Sequence, residues 1–147
     1  MGVVVIIAFD LDGTLADLTH RLHFIQQQPK DWDEFFAACG NDKAIWPIIN
    51  VLMAMRIDGH RIEIWSGRSE TVRQRTENWL FEYGIHYDLL RMRKAGDRRE
   101  DCIVKGEWLD ALTIGERPQI AFEDRQQVVD MWRSRGVICC QVAPGNF

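Results

Sequence analysis

The 147-residue sequence predicts an α/β fold: a doubly wound, mostly parallel sheet with helices on both faces. Three observations carry this. The run VVVIIAF at 3–9 is β-branched and continuous, as a strand covered on both faces must be. Strand-like and helix-like stretches then alternate to the end of the chain. The composition, 46% hydrophobic and 27% charged, gives a chain of one-domain size enough apolar material for a core without disulfide or metal staples.

Each element has its own signal. After the first strand, Asp17 is placed to cap a helix carrying Leu18, Leu22 and Ile25, closed by Pro29. DWDEFFAA (31–38) predicts a short helix capped by Asp31. From Ala44 to Asp58, Ile45, Ile48, Ile49 and Leu52 keep helical spacing, and Gly59 supplies the stop. RIEIW (61–65) alternates as a strand. Ser69 then caps a helix with Val72, Trp79, Leu80 and Tyr83 on one stripe, closed by Gly84. YDLLRM (87–92) is a short strand, and 98–112 a helix with Val104, Trp108, Leu109 and Leu112 inward. PQIAF (118–122), a helix through Val128, Val129 and Trp132, and VICCQV (137–142) complete the series. The whole reads as a single domain, 1–147, in which segment 17–43 exceeds what a crossover needs and is expected to form a small helical lid.

A net charge of -4 argues against coating nucleic acid by bulk charge. One local exception is RMRKAGDRR (91–99), with five positive charges and one negative. The apolar N-terminal run is too short to span a membrane, so no membrane partner is expected. The four cysteines form no CxxC pair, which points to free thiols in a reducing cytoplasm. The six tryptophans are expected in the core.

In doubly wound sheets ligands bind at the carboxyl ends of the strands. There the first strand delivers Asp10 and Asp12, the second Ser66, Gly67 and Arg68, and the strand at 118–122 delivers Glu123, Asp124 and Arg125. Across an extended Leu11 the two aspartates point the same way, and Gly13 and Thr14 permit a tight turn. Two carboxylates sharing one site separate in pKa, which suits a nucleophile beside a general acid/base. Asp10, Asp12 and Asp124 also offer oxygen ligands to Mg²⁺. Arg68 and Lys105 are suited to phosphate oxygens. No G-x-S-x-G elbow, no G-x-x-x-x-G-K-[ST] loop and no well-placed histidine base occur, which sets aside acyl transfer and nucleotide-driven kinase chemistry. His20, His23, His60 and His86 are expected on helix or loop surfaces.

FDLDGTL (9–15), IWSGR (64–68), Lys105 in CIVKGEW and AFEDR (121–125) together resemble, in order, the four motifs of the haloacid dehalogenase superfamily. That resemblance implies a Rossmann-like fold and a Mg²⁺-dependent phosphatase working through an aspartyl-phosphate. Asp10 would be the nucleophile and Asp12 the acid/base. Thr14, Ser66 and Lys105 would hold the phosphate, and Asp10, Asp124 and the Asp12 backbone carbonyl the metal. Glu123 stands where the superfamily commonly has a second Asp, and would reach the metal through water. The tail DRQQVVDMWRSRGVICCQVAPGNF, GDRRED with the following IVK, and an Arg nine residues after the acid/base resemble the 3'-phosphatase domains of T-even bacteriophage polynucleotide kinase-phosphatases. By that analogy Arg21, Arg68, Arg93 and Asp101 join the phosphate and substrate site. Segment 91–99 would then contact a phosphorylated nucleotide or polynucleotide end, in a chain without the kinase half. The rival is a 5'-nucleotidase acting on free nucleoside monophosphates. A non-catalytic phosphatase-like subunit is disfavoured by the full set of catalytic residue types. A receiver-like module, which must keep its phosphate, is disfavoured by Asp12.

Overall fold

The computed structural model describes residues 2–145. In chain order the elements are β1 (Ile6–Phe9), β2 (Ala16–Asp17), α1 (His23–Gln26), α2 (Trp32–Ala37), β3 (Lys43–Ala44), α3 (Trp46–Ile57), β4 (Arg61–Ser69), α4 (Arg73–Glu82), β5 (Leu89–Arg93), α5 (Asp101–Asp110), β6 (Ile120–Glu123), α6 (Gln126–Ser134) and β7 (Ile138–Gln141). Five strands form one sheet in the order β5-β4-β1-β6-β7, every pairing parallel. The expected α/β fold is therefore present. Asn146 and Phe147, which end the tail quoted above, lie outside the described residues, as does Met1.

The period of two along β1 explains its uninterrupted apolar run. Ile7 and Phe9 pack with Ile62, Ile64, Leu90 and the inner faces of α3 and α4. Ala8 points to the other side, with Trp65, Ala121 and the α5–α6 residues Leu109, Val128, Val129 and Trp132. One strand thus feeds two cores, and both neighbours of β1 are strands.

The structure refines several expected boundaries. The first strand starts at Ile6, and Val3 and Val4 are exposed. β4 runs on through Ser66, Gly67 and Arg68 to Ser69, pairing with β5 as far as Arg93, with an irregularity between Ser66 and Ser69. Those three residues therefore lie within the strand. The helix expected after Asp17 is divided into a 3₁₀ turn, Thr19–Arg21, and the single turn of α1. Asp17 accepts hydrogen bonds from the Thr19 backbone and hydroxyl and pairs with Lys43 across β2–β3. Asp31 caps α2 by accepting from the Glu34 N–H, as read. Of the six tryptophans, Trp65, Trp79 and Trp132 are core, while Trp32 and Trp46 are exposed.

Segment 17–43 has its own small apolar cluster, Leu18, Ile25 and Phe35, packed with Leu22, Phe24 and Phe36. Its two ends are held together by the β2–β3 ribbon. Among the described residues no helix is long and apolar enough to cross a membrane.

Candidate active site

β1 is the central strand, and its ladder continues one residue further: the Asp10 N–H donates to the Phe122 carbonyl. That bond sets Asp10 beside the end of β6, where Glu123 and Asp124 emerge. Carboxylate oxygens of Asp10, Glu123 and Asp124 lie within 4.8 Å of one another, all three residues buried. Lys105, in the middle of α5, reaches into this cluster with no exposed surface. Its Nζ donates to Asp10 Oδ1 at 2.7 Å and Glu123 Oε2 at 2.9 Å, and lies 3.3 Å from Asp101 Oδ2. The Thr14 hydroxyl donates to Asp10 Oδ2 at 3.4 Å. Ser66 is buried, its Oγ accepting the Arg68 N–H.

The charge in this cluster does not balance. Four carboxylates, Asp10, Asp101, Glu123 and Asp124, face two cations, Lys105 and Arg93, the latter donating to Asp101. Burial, then Glu123, pushes Asp10 well above the usual carboxylate range. Burial and Asp10 raise Asp124 to about 7, and burial raises Glu123 to about 7 against the pull of Lys105. Burial opposes the charge on Lys105, but Asp10, Asp101 and Glu123 outweigh it and hold the ammonium protonated.

A divalent metal ion fits this site on three grounds. The donors are hard carboxylate oxygens. The surplus of two negative charges matches one divalent cation. Among the described residues Asp124 Oδ1 is buried with no hydrogen-bond partner, a costly state for a carboxylate oxygen unless something binds it. Gly13 leaves the room: at φ +83 it takes a backbone shape that side chains disfavour, and a Cβ there would collide with the Asp124 carboxylate.

Asp12 stands in a different network. Its Oδ1 accepts from Arg21 at 2.7 Å and from Arg68 Nε and NH2 at 2.9 and 2.7 Å. Both arginine side chains are fully buried. They are shared with Asp42, whose Oδ1 accepts from Arg21 Nε at 2.7 Å and whose Oδ2 accepts from Arg21 NH2 and Arg68 NH2 at 2.6 and 2.8 Å. Arg68 also donates to Thr76, and Arg21 to the Phe35 carbonyl. Two acids thus face two guanidiniums and the charges balance. Burial by itself would raise Asp12, but Arg68 and then Arg21 bring it down to about 2.

Asp10, Thr14, Lys105, Asp101, Glu123 and Asp124 converge in one cluster. The pKa values of Asp10 and Asp12 do diverge, but through different neighbours rather than mutual repulsion. Arg21 and Arg68, expected at the phosphate, are turned to Asp12 and Asp42. Arg93 donates to the Gly67 carbonyl and to Asp101, so it braces the β4 bend and the start of α5. A Cβ on Gly67 would collide with Asp101, so the bend and the α5 start are fitted to each other. Within 91–99, Arg91 lies over the Trp65 ring at 5.0 Å, and Arg99 pairs with Asp97 and Glu107. Lys94 and Arg98 are exposed. Sequence reasoning missed Asp42; His20 is exposed, as expected, and its Nε2 sits 2.8 Å from Asp42 Oδ1.

A doubly wound sheet whose central strand ends in D-x-D, with a lysine and acids from the flanking elements around the first aspartate, defines a phosphatase of the haloacid dehalogenase class. The model of the polynucleotide kinase PNKP phosphatase domain matches residues 4–147, and the chain belongs to that family. It is similar to a chain in the structure of a Pnkp1/Rnl/Hen1 complex, at 33% identity and TM-score 0.82 over 98% of this chain and 48% of that one. A chain of the Pnkp1/Rnl/Hen1 RNA repair complex gives 32% identity and TM-score 0.79 over 98% and 44%. The present chain thus spans about half the length of both. A putative phosphatase from Clostridium difficile shares the fold, with 15% identity and TM-score 0.68 over 96% of this chain and 86% of that one.

Proposed function

We propose that this phosphatase is a Mg²⁺-dependent phosphomonoesterase that removes the 3'-phosphate from a polynucleotide end through an aspartyl-phosphate. The observation that carries the chemistry is the buried Asp10–Lys105–Asp124 arrangement, with its surplus of negative charge. The substrate choice is supported by the family and by likeness to chains from a complex described as an RNA repair complex.

Asp10, Asp124 and the backbone carbonyl of Asp12 would hold Mg²⁺, which neutralises the crowded carboxylates and the phosphoryl oxygens. Lys105, Thr14 and Ser66 receive the phosphate. An oxygen of Asp10 attacks phosphorus and the P–O ester bond breaks. Its electron pair leaves with the 3'-oxygen, which takes a proton from Asp12. Asp12 then accepts a proton from water as that water attacks the acyl phosphate, releasing inorganic phosphate and restoring Asp10. Arg21 and Arg68 fix the direction of Asp12. Arg93 and Asp101 fix Lys105, which Glu123 also grips. Segment 17–43 serves as the cap, since it supplies Arg21 and Asp42. Its short length leaves the site open to a polymer. Free thiols at Cys39, Cys102, Cys139 and Cys140 suit a reducing cytoplasm.

The test is phosphate release with Mg²⁺ from 3'-phosphorylated oligonucleotides, 3'-mononucleotides and 5'-mononucleotides in parallel. Oligonucleotides with a 3'-phosphate are expected to give the highest kcat/KM. Preference for the 5'-mononucleotides overturns the substrate assignment and points to a nucleotidase.

A further inference from the structure

The cap carries an aromatic residue that its own packing leaves partly open to solvent. Trp32 opens α2 and is 39% exposed, outside the apolar cluster of Leu18, Ile25 and Phe35. Phe35 meets the indole nearly edge-on at 5.7 Å, Phe36 is stacked on it at 6.0 Å, and the Lys30 ammonium sits over it at 5.7 Å. The ring is therefore propped in place while still open to solvent.

This platform is continuous with the site. The Arg21 guanidinium, 2.7 Å from Asp12, lies over the Phe35 ring at 4.3 Å and donates to the Phe35 carbonyl. The indole centre is thus no more than about 14 Å from Asp12, counting those separations and one C–N bond. Stacked bases step by about 3.4 Å, so a strand whose 3'-phosphate meets Asp10 brings one of its last few bases within reach. The flanking Asp33 and Glu34 repel phosphates, which favours contact with a base face over contact with the backbone.

We propose that Trp32, with Lys30 beside it, is a stacking subsite for a nucleobase near the 3' end of a single-stranded polynucleotide. An indole face accepts any base, so the subsite recognises a polynucleotide without reading its sequence. Lys30 is displaced from the ring by the incoming base and turns to the adjoining backbone. The inference rests on the 3'-phosphatase reading above and names the part of the substrate that the cap grips.

The experiment compares kcat/KM for a 3'-phosphorylated oligonucleotide with that for the same strand carrying abasic residues at its last four positions. Wild-type protein is expected to prefer the normal strand about tenfold, mostly through KM. In Trp32→Ala that preference should fall to within about twofold, and Trp32→Phe, which keeps a flat ring, should restore most of it. An undiminished preference in Trp32→Ala overturns the subsite while leaving the phosphatase reading standing. Failure of the wild-type chain to release phosphate from either strand overturns both. Trp32→Phe also controls for folding, because it retains the contacts with Phe35 and Phe36.

Discussion

Replacing Asp42 by Asn tests whether the second acid of the arginine network governs the first. Asn keeps the shape of the side chain but removes its charge and turns one acceptor into a donor. Asp42 now accepts two bonds at each oxygen, from Arg21, Arg68 and His20. An amide NH₂ on either side would face a guanidinium N–H. The Asp42, Arg21 and Arg68 side chains are all fully buried, so the arginine charges lose half their compensation where water cannot replace it. Removing one partner from a buried ion pair costs about 3–5 kcal/mol. For a chain of this length that corresponds to a fall in Tm of about 10 °C or more. Activity should drop further than stability explains, because both arginines then lean on Asp12 alone and shift it. The assay is thermal unfolding by circular dichroism, with phosphate release measured well below the variant's Tm. A Tm within about 2 °C of wild type, with undiminished kcat, would refute the claim that Asp42 holds the arginines for Asp12.

Asp10→Asn should abolish turnover and leave the circular dichroism spectrum unchanged; near-normal phosphate release by that variant would defeat the covalent mechanism. Mg²⁺ should raise the Tm of the wild-type protein by several degrees, since it fills a site with surplus negative charge, and Asp124→Asn should remove that rise. If chelator and Mg²⁺ give identical melting curves, the acid cluster holds no metal. Far from the site, burial works to raise Asp88, but the Ile62 N–H and Arg56 hold it below the usual carboxylate range. A depressed carboxyl contributes stability above its unfolded pKa, about 3.9, and loses it as pH falls through the folded value. Asp88→Asn should therefore lower stability at pH 6 by up to about 1 kcal/mol, allowing for partial exposure, and flatten the loss below pH 4. Equal acid sensitivity of the two proteins in urea titrations would contradict this.

How much of this was visible in the sequence depends on whether the controlling contact is local. The chemistry at the ends of β1 and β6 was legible because a buried strand that terminates in acids must deliver them to the sheet edge. Lys105 was legible as a cation suited to phosphate, and the motif it resembles gave it a place in the site, since a lone lysine on an amphipathic helix otherwise reads as solvated. Asp42 gave no signal. It sits between Asn41 and Lys43 in a polar stretch, and its partners lie 21 and 26 residues away in sequence. The break of the expected helix after Asp17 was equally hidden, because two-residue strands such as β2 and β3 carry no periodicity. In the basic run 91–99, composition did not show that Arg91, Arg93 and Arg99 are engaged by Trp65, Gly67, Asp97, Asp101 and Glu107, while Lys94 and Arg98 stay exposed.

The separation of Asp10 and Asp12 into two networks bears on the order of the chemical steps. Arg21 and Arg68 keep Asp12 ionised at rest, the state of a base, whereas the first step of the proposed mechanism asks it for a proton. A phosphorylated substrate would itself supply the difference. At about 5 Å and an effective dielectric of about 20, each phosphate charge disfavours the Asp12 carboxylate by about 3 kcal/mol, roughly a hundredfold in proton affinity. A cation held by Asp10 and Asp124 would offset part of this. On that mechanism Asp12 would gain proton affinity when a phosphate arrives, and its two arginines would draw it back to the basic form once the phosphoryl group had moved to Asp10 and the leaving oxygen had taken the proton. In the proposed mechanism the balanced pairing of two acids with two buried guanidiniums would return Asp12 to its ionised form between the two steps.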